Sequence, residues 1–306
     1  MVEREDVLRA RPTVERFLQA TPLLHSRTLG AGLKCELFQR TGSFKSRGAI
    51  NKLASLSEAE RGRGVITISA GNHAQAVAFA AAEHATSALV VMWSGASEQK
   101  IAATRGYGAE VDLEADNPAA AFERLAELLE AGGRTLVHPF DDPLVIAGAG
   151  TVGLELAEQA PEADVLIVPV GGGGLISGIV ASLGPAPGVR VVAVEPVRSP
   201  ALHAGLAAGR PVAVETASIA DGLNAPFAGL LALEACAALE RVLVSEQEIE
   251  QAFRFCYQRL KLACEPAGAV AVAALLAGKV EGEAPVCIVS GGNVAGLTAS
   301  GILALP

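Results

Sequence analysis

The sequence predicts an α/β protein of two doubly wound units with open, mainly parallel sheets. Three observations carry that prediction. From residue 65 onward, short apolar runs alternate with helical stretches, the pattern of parallel strands joined by crossover helices. The runs are predominantly apolar, as in VITIS at 65–69 and VLIVPV at 165–170, which implies burial on both faces of a sheet. The alternation also breaks once, around Pro139 and Pro143, and then resumes, dividing the strands into two series.

Residues 5–20 read as an amphipathic helix with Val7, Leu8, Val14, Phe17 and Leu18 on its apolar face, interrupted early by Pro12. Thr21-Pro22-Leu23-Leu24 is extended, because a residue before proline avoids the helical region. Residues 33–38 form a strand that runs up to a turn at Thr41-Gly42-Ser43, and a helix continues from Lys45 through Ile50 and Leu53. Ser57 and Glu60 form a capping box at the start of the next short helix. The first series then follows: strands at 65–69, 88–92, 110–113 and 135–138, with helices at 73–84, 97–107 and 118–131 between them. The second series starts with a helix at 146–159 and a strand at 165–170 that ends in Gly171-Gly172-Gly173-Gly174. It continues with a helix from Leu175, a strand at 189–195 and a short helix at 200–209. After an irregular stretch at 218–227 come helices at 245–263 and 268–277, and a last strand at 286–290 ends in Gly291-Gly292-Asn293. This places 51–141 in a small domain and 1–50 with 142–306 in a large one.

Composition narrows the function. Across 306 residues, 51% are hydrophobic and 19% charged, enough to build a sizeable core and too apolar for disorder. A net charge of −9 disfavours nucleic acid or an anionic membrane as the main partner. The five cysteines, Cys35, Cys236, Cys256, Cys264 and Cys287, are odd in number and form no CxxC pair. That pattern suits reduced thiols in a cytoplasmic protein better than a disulfide framework or a zinc site. The charged, amphipathic first seventeen residues are not a signal peptide. Residues 165–189 lack charge, but their glycines and prolines argue against a membrane span.

The candidate chemistry collects at strand ends. Lys45 stands in the first turn of a helix, where the dipole disfavours an ammonium. Such a lysine, if also desolvated, is a neutral nucleophile of the kind Schiff-base chemistry needs; the competing reading is a solvated surface lysine. Residues 171–174 let successive N–H groups converge on an anion at a helix N-terminus, or they are only a tight turn. They are not a dinucleotide fingerprint, because the GxGxxG spacing is missing. Ser69 and Asn72 are short polar groups beside another strand end, and His73 is a base or a capping residue. Ser290 ends an apolar strand, and its hydroxyl needs a partner, either a backbone carbonyl or a ligand nitrogen. An amine nucleophile, an anion nest and polar groups at two further strand ends together suit an aldehyde that carries a phosphate, pyridoxal 5′-phosphate.

At this point the chain resembles the fold-type II pyridoxal-phosphate enzymes, specifically their serine/threonine dehydratase branch. The resemblance runs nearly end to end, through TGSFKSRGA, SAGNHAQAVA, GGGGLISG, VAVEP, ADGL, CEPAGA and SGGN. It implies that the cofactor lies in a cleft between the two domains. Lys45 would bind it covalently beside Phe44, with Gly171, Gly172, Gly173, Gly174 and Leu175 on the phosphate. Asn72 would lie near the 3′-oxygen and Ser290 at the pyridine nitrogen, and residues Ser69, Ala70, Gly71, Asn72 and His73 would receive the substrate carboxylate. A neutral hydroxyl at the ring nitrogen favours prompt loss of a β-leaving group over side transamination. Members that racemise serine carry a serine where this chain has Ala70, so dehydration is expected and racemisation is not. Threonine synthases typically carry a KDRG-type motif where this chain has Lys45-Ser46-Arg47-Gly48.

The expected activity is therefore an ammonia-lyase that converts L-threonine, and second L-serine, to a 2-oxo acid and ammonia. The alternatives are a serine or aspartate racemase, a hydroxyaspartate dehydratase or, from another class, a non-catalytic cofactor-binding protein. Glu195 matches one of two carboxylate positions that bind a cation in some members, but the second position is Ala201, so no divalent metal is expected. Trp93-Ser94 replaces a proline usual in the family. The resemblance suggests a homodimer. With no C-terminal regulatory domain before Pro306, feedback inhibition by isoleucine is not expected.

Overall fold

The protein is described by a computed structural model that covers residues 1–184 and 188–304. Among these residues ten strands form. They are β1 (Leu23–Ser26), β2 (Ala31–Cys35), β3 (Val65–Ile68), β4 (Ala88–Trp93), β5 (Glu110–Ala115), β6 (Thr135–Leu136), β7 (Val165–Pro169), β8 (Arg190–Pro196), β9 (Glu240–Val244) and β10 (Pro285–Val289). They build two sheets, one in the order β1-β2-β10-β7-β8-β9 and the other β5-β4-β3-β6. Only β1 and β2 pair antiparallel; the other pairings are parallel. Both faces of the larger sheet are covered. Helices Glu246–Phe255 and Pro266–Leu276 pack through Phe253, Val270 and Val272 on one side. Helices Pro143–Gln159 and Gly174–Leu183 pack through Val152, Leu156 and Ile179 on the other. The smaller sheet is sandwiched likewise, between a core of Ala76, Val77 and Met92 and one of Ala121 and Leu125.

The helix Lys45–Ala54 has a particular place in this arrangement. Its Ala49, Ile50 and Leu53 belong to the core of the smaller sheet, together with Val145 of the helix Pro143–Gln159. The two helices cross so closely that a Cβ at Gly48 would stand 2.6 Å from the Val145 carbonyl oxygen, and one at Gly148 would stand 2.5 Å from that of Arg47. Only glycine fits at such a crossing, and the contact fixes where the helix presents Lys45.

Several local expectations are corrected. Pro12 does not interrupt the first helix, which runs Arg4–Phe17 around it. Leu8, counted on the apolar face, is 42% exposed, because the buried stripe is Val7, Ala10 and Val14. The strand expected at 33–38 ends at Cys35, and Glu36–Phe38 is a 3-10 turn that carries Glu36 inward. The helix expected at 245–263 is α-helical only to Phe255; Cys256–Leu260 is a π-helical turn closed by left-handed Lys261 at φ 60°. Three elements were not anticipated: the edge strand β9, which opens with Glu240 and Arg241, and the helices Leu230–Ala235 and Gly296–Leu303. All five cysteines are free and buried. Among the described residues no helix is long and apolar enough to cross a membrane; the uncharged stretch 165–189 includes 185–187, which lie outside them.

Candidate active site

Parallel strands deliver their carboxyl ends to one side of a sheet, and the loops that follow them share a crevice. Three adjacent strands do so here. β2 leads through two 3-10 turns to Lys45, β10 leads to Ser290, and β7 leads to residues 171–174. The end of β3, in the other sheet, leads to Ser69. A cavity of about 730 Å³ lies among these loops, lined by Lys45, Ser69, Ala70, Gly71, Asn72, His73 and Gly172, with Glu265, Asp221 and an aromatic wall of Trp93, Phe122, Phe140 and Phe227. Contacts cross it from one sheet's loops to the other's. Lys100 pairs with Asp221, and Phe122 meets Phe227 at 6.5 Å between ring centroids. A smaller cavity of about 340 Å³ beside Met1, Asn51 and Leu144 holds no comparable set; its Asp6 and Arg9 are paired with each other.

Lys45 Nζ donates a 2.7 Å hydrogen bond to the Pro139 carbonyl oxygen and stands 5.2 Å from the centre of the Phe44 ring. Among the described residues no carboxylate faces it, and burial pushes its pKa down to about 8. That leaves about a tenth of it neutral at pH 7. His138 holds the Pro139 carbonyl in place, since its Nδ1 accepts from the Phe140 and Asp141 amides at 3.3 and 2.9 Å.

The glycine loop is shaped by what crowds it. A Cβ at Gly172 would meet the Phe140 ring at 2.2 Å, and Gly173 adopts φ +94° and precedes the helix Gly174–Leu183. Among the described residues no backbone carbonyl accepts from the amides of residues 171–173, which leaves them bare beside a helix N-terminus, as an anion site requires. Of the predicted cofactor residues, Lys45, Asn72 and Gly172 line the cavity, whereas Gly171, Gly173, Gly174, Leu175, Phe44 and Ser290 do not. Ser290 is buried, and among the described residues its hydroxyl finds only the Ala267 carbonyl at 3.5 Å, longer than a normal O–H···O bond. It keeps capacity for a better partner. Its own carbonyl accepts from the Phe44 amide at 3.2 Å, which ties the lysine turn to the end of β10.

On the other wall, the helix Asn72–Glu83 opens on the cavity. Ser69 Oγ accepts from the Gly71 amide at 3.1 Å, so its hydroxyl proton is free to donate. His73 is no base. Burial, followed by the charges of Lys45 and His138, pushes its pKa down to about 3. Its Nε2 lies 3.1 Å from the Val137 carbonyl oxygen, which can only accept, so Nε2 carries the proton and Nδ1 is left as an unpaired acceptor. Asn72 Nδ2 donates to Glu265 Oε1 at 2.6 Å, and its Oδ1 accepts from Asn293 Nδ2 at 2.8 Å. Glu265 is buried; that burial and then the charge of Asp221 raise its pKa to about 8. Glu265 and Asn293 fall within CEPAGA and SGGN, but nothing in their local sequence assigns them a role.

Glu195 lies away from the cavity. Its two oxygens accept from the Leu202 and His203 amides at 2.6 and 2.9 Å, capping the helix Ala201–Ala208. Among the described residues no group of three His, Cys, Asp or Glu is placed to hold a metal.

A phosphorylated aldehyde fits these residues. The amine is desolvated and, among the described residues, lacks a counter-ion; the glycine loop leads into a helix N-terminus with no room for side chains; and a loosely bonded hydroxyl stands on the strand between them. Residues 14–292 match the model of a family described as pyridoxal-phosphate dependent enzyme. The L-threonine ammonia-lyase of Thermotoga maritima is 43% identical over 305 residues, which is 96% of this chain and 76% of that protein. Maize serine racemase superposes with a TM-score of 0.92 at 34% identity, covering 98% of this chain and 96% of that one. The T.th. threonine deaminase superposes with a TM-score of 0.90 at 36% identity, covering 96% and 99%.

Proposed function

The chain belongs to the pyridoxal-phosphate dependent enzyme family, and we propose that within it the chain is a dehydratase that converts L-threonine, and less readily L-serine, to a 2-oxo acid and ammonia. One observation carries this reading: Lys45 and Ala70 line the same cavity, so the cleft offers a basic amine at one position and nothing that exchanges a proton at the other.

Lys45 would hold the cofactor through Nζ, beside Phe44. The amides of residues 171–174 and of Leu175 would take its phosphate, Asn72 its 3′-oxygen and Ser290 its ring nitrogen. When bound, the cofactor supplies the electron sink that acidifies the substrate's Cα–H bond. The remaining work falls to the chain. The bare amides at the start of the helix Asn72–Glu83 and the Ser69 hydroxyl orient the substrate carboxylate. Once the substrate's amine has displaced it, Lys45 Nζ, neutral in part because it is desolvated, would take the Cα proton and return one to the departing β-hydroxyl, which leaves as water. The released enamine would then tautomerise and be hydrolysed by water to the 2-oxo acid and ammonia. His73 stays neutral and donates to Val137, so it adds no charge beside the amine. Ala70 has no proton to give, and the reprotonation from the opposite face that racemisation needs does not occur.

Residues 51–141 form the smaller body across the cleft from 1–50 and 142–306, and the protein works as a cytoplasmic homodimer. No divalent cation is part of this reading, because Ala201 stands where the second carboxylate ligand would be.

The test is a panel of amino acids assayed for 2-oxo acid release, with chiral chromatography of the recovered substrate. The expected result is 2-oxobutyrate from L-threonine as the fastest product and no D-serine from L-serine. D-serine formed as fast as pyruvate would instead make the chain a racemase, the activity named for its maize structural neighbour. An unchanged cofactor spectrum with every amino acid would mark a non-catalytic binder.

A further inference from the structure

Four segments far apart in the chain meet beside the cleft: the lysine turn at residues 41–42, Asn72, Glu265 and residues 291–293. The contacts among them have a direction that can be read without seeing a hydrogen. The Thr41 carbonyl can only accept, and Asn293 presents an amide atom to it at 2.6 Å. That atom must be the nitrogen. The same Nδ2 lies 2.8 Å from the Asn72 amide, so the Asn72 atom facing it must be Oδ1. The Asn72 nitrogen is thereby turned toward Glu265 Oε1, 2.6 Å away. A backbone carbonyl of the lysine turn thus dictates the orientation of an amide on the opposite wall.

Backbone shape supports the arrangement. Thr41 adopts a left-handed φ of 61°, which only the surrounding contacts can enforce. A Cβ at Gly42 would stand 2.4 Å from Asn293 Oδ1, and one at Gly291 would stand 2.3 Å from Glu265 Oε1. Both glycines are what allow the two polar side chains to close on Asn72. Glu265 cannot drift, because its amide donates to the Gly291 carbonyl at 3.1 Å and its carboxyl is buried. Asn72 Nδ2 carries two protons, and Glu265 takes one.

We propose that Glu265 and Asn293 are positioning residues that fix the amide orientation of Asn72 and aim its second Nδ2–H at the 3′-oxygen of the cofactor. The proposal rests on the role given to Asn72 above. It adds that this role is imposed by a relay from the lysine turn, so that the amine and the ring-oxygen donor are set by one rigid unit.

The test uses holoprotein variants Asn72→Ala, Glu265→Gln, Glu265→Leu, Asn293→Ala and the double variant Asn72→Ala/Glu265→Leu. It reads the absorption spectrum of the bound cofactor and its dissociation constant, without substrate, and the thermal midpoint of each apoprotein. Glutamine still offers an accepting oxygen, so Glu265→Gln should keep the spectrum and the affinity. Glu265→Leu and Asn293→Ala should each weaken cofactor binding about three- to tenfold, the equivalent of one hydrogen bond, and move the spectrum in the same direction as Asn72→Ala. The double variant should bind no more weakly than Asn72→Ala alone, since without the amide there is nothing to aim. If Glu265→Leu fails to fold, Asn293→Ala carries the same prediction. The proposal falls if Glu265→Gln is as impaired as Glu265→Leu, if Asn293→Ala leaves the cofactor unchanged, or if the effects multiply in the double variant. The readouts involve no substrate, so a wrong choice of amino acid leaves the result standing, whereas an unaltered Asn72→Ala spectrum overturns both this proposal and the role given to Asn72.

Discussion

Two cations on one turn of the helix Lys45–Ala54 meet opposite fates. Lys45 faces the cleft with a single neutral partner, the Pro139 carbonyl. Arg47, fully buried, faces the other way into a cage. Its guanidinium donates to both oxygens of Glu36 at 2.8 and 2.9 Å, to both of Glu155 at 2.6 and 3.0 Å, and to Thr151 Oγ1 at 3.1 Å. Lys34 joins the cage through Glu155, the Thr21 carbonyl and Gln159, so two cations balance two carboxylates. Burial without a counter-ion pushes the Lys45 pKa down to about 8. Around Arg47 the burial penalty is more than offset by Glu36 and Glu155, and its pKa rises. Desolvation thus makes one side chain a reagent, while in the other the same penalty is met by full pairing and holds the helix in place. The cage anchors the helix, and the anchored helix presents the amine.

If that division holds, activity and stability should come apart. Lys45→Ala should abolish 2-oxo acid formation, by about a thousandfold or more, while the apoprotein's thermal midpoint stays near its original value. An active Lys45→Ala protein would remove the lysine from the chemistry. Arg47→Met should act in the opposite way. It leaves two buried carboxylates with only Lys34 between them, a loss of about 3–5 kcal/mol, read as a lower urea midpoint. An Arg47→Met protein as stable as the original would mean that the cage is not what holds the helix.

Much of this was legible in the sequence because it is local. The turn 41–43 before Lys45, the run of glycines after β7 and the hydroxyl at the end of β10 each declare themselves within a few residues, and parallel pairing of β2, β10 and β7 gathers them. The parts that were not legible are contacts between distant positions. Arg47 reads as an ordinary helix residue until Glu36 and Glu155 close on it from 11 and 108 positions away. Glu265 and Asn293 act on Asn72 across 193 and 221 positions, and no periodicity reports such a pairing. The edge strand β9 was missed because its first two residues are charged and exposed, which hides a strand that pairs on one side only. Trp93-Ser94, a departure with no reading in the sequence, places an indole on the cleft wall.

The depressed amine can be checked directly. Capture of pyridoxal phosphate by the apoprotein needs the neutral form of Lys45. Because burial lowers the pKa to about 8, the capture rate should rise about tenfold per pH unit up to pH 8 and level off above it. For an exposed lysine the rise would continue to about pH 10.4. A profile still climbing through pH 9 and 10 would erase the contrast between the two cations.

Lys34→Met probes how far the cage depends on its second cation. Methionine keeps the length and the apolar stem, so the loss is of hydrogen bonds and charge. Two features limit it. The Thr21 carbonyl retains a donor in Gln159 Nε2 at 3.1 Å, and Glu155 retains both of its bonds to Arg47. Glu155 is also the one carboxylate of the pair that water reaches, with 14% of its side chain exposed against none for Glu36. The cost should therefore be about 1–3 kcal/mol in urea unfolding, smaller than for Arg47→Met, with turnover unchanged. If instead the two variants were equally destabilised, the guanidinium would be only one of two equal members of the cage, and the anchoring of Lys45 would belong to the cluster as a whole.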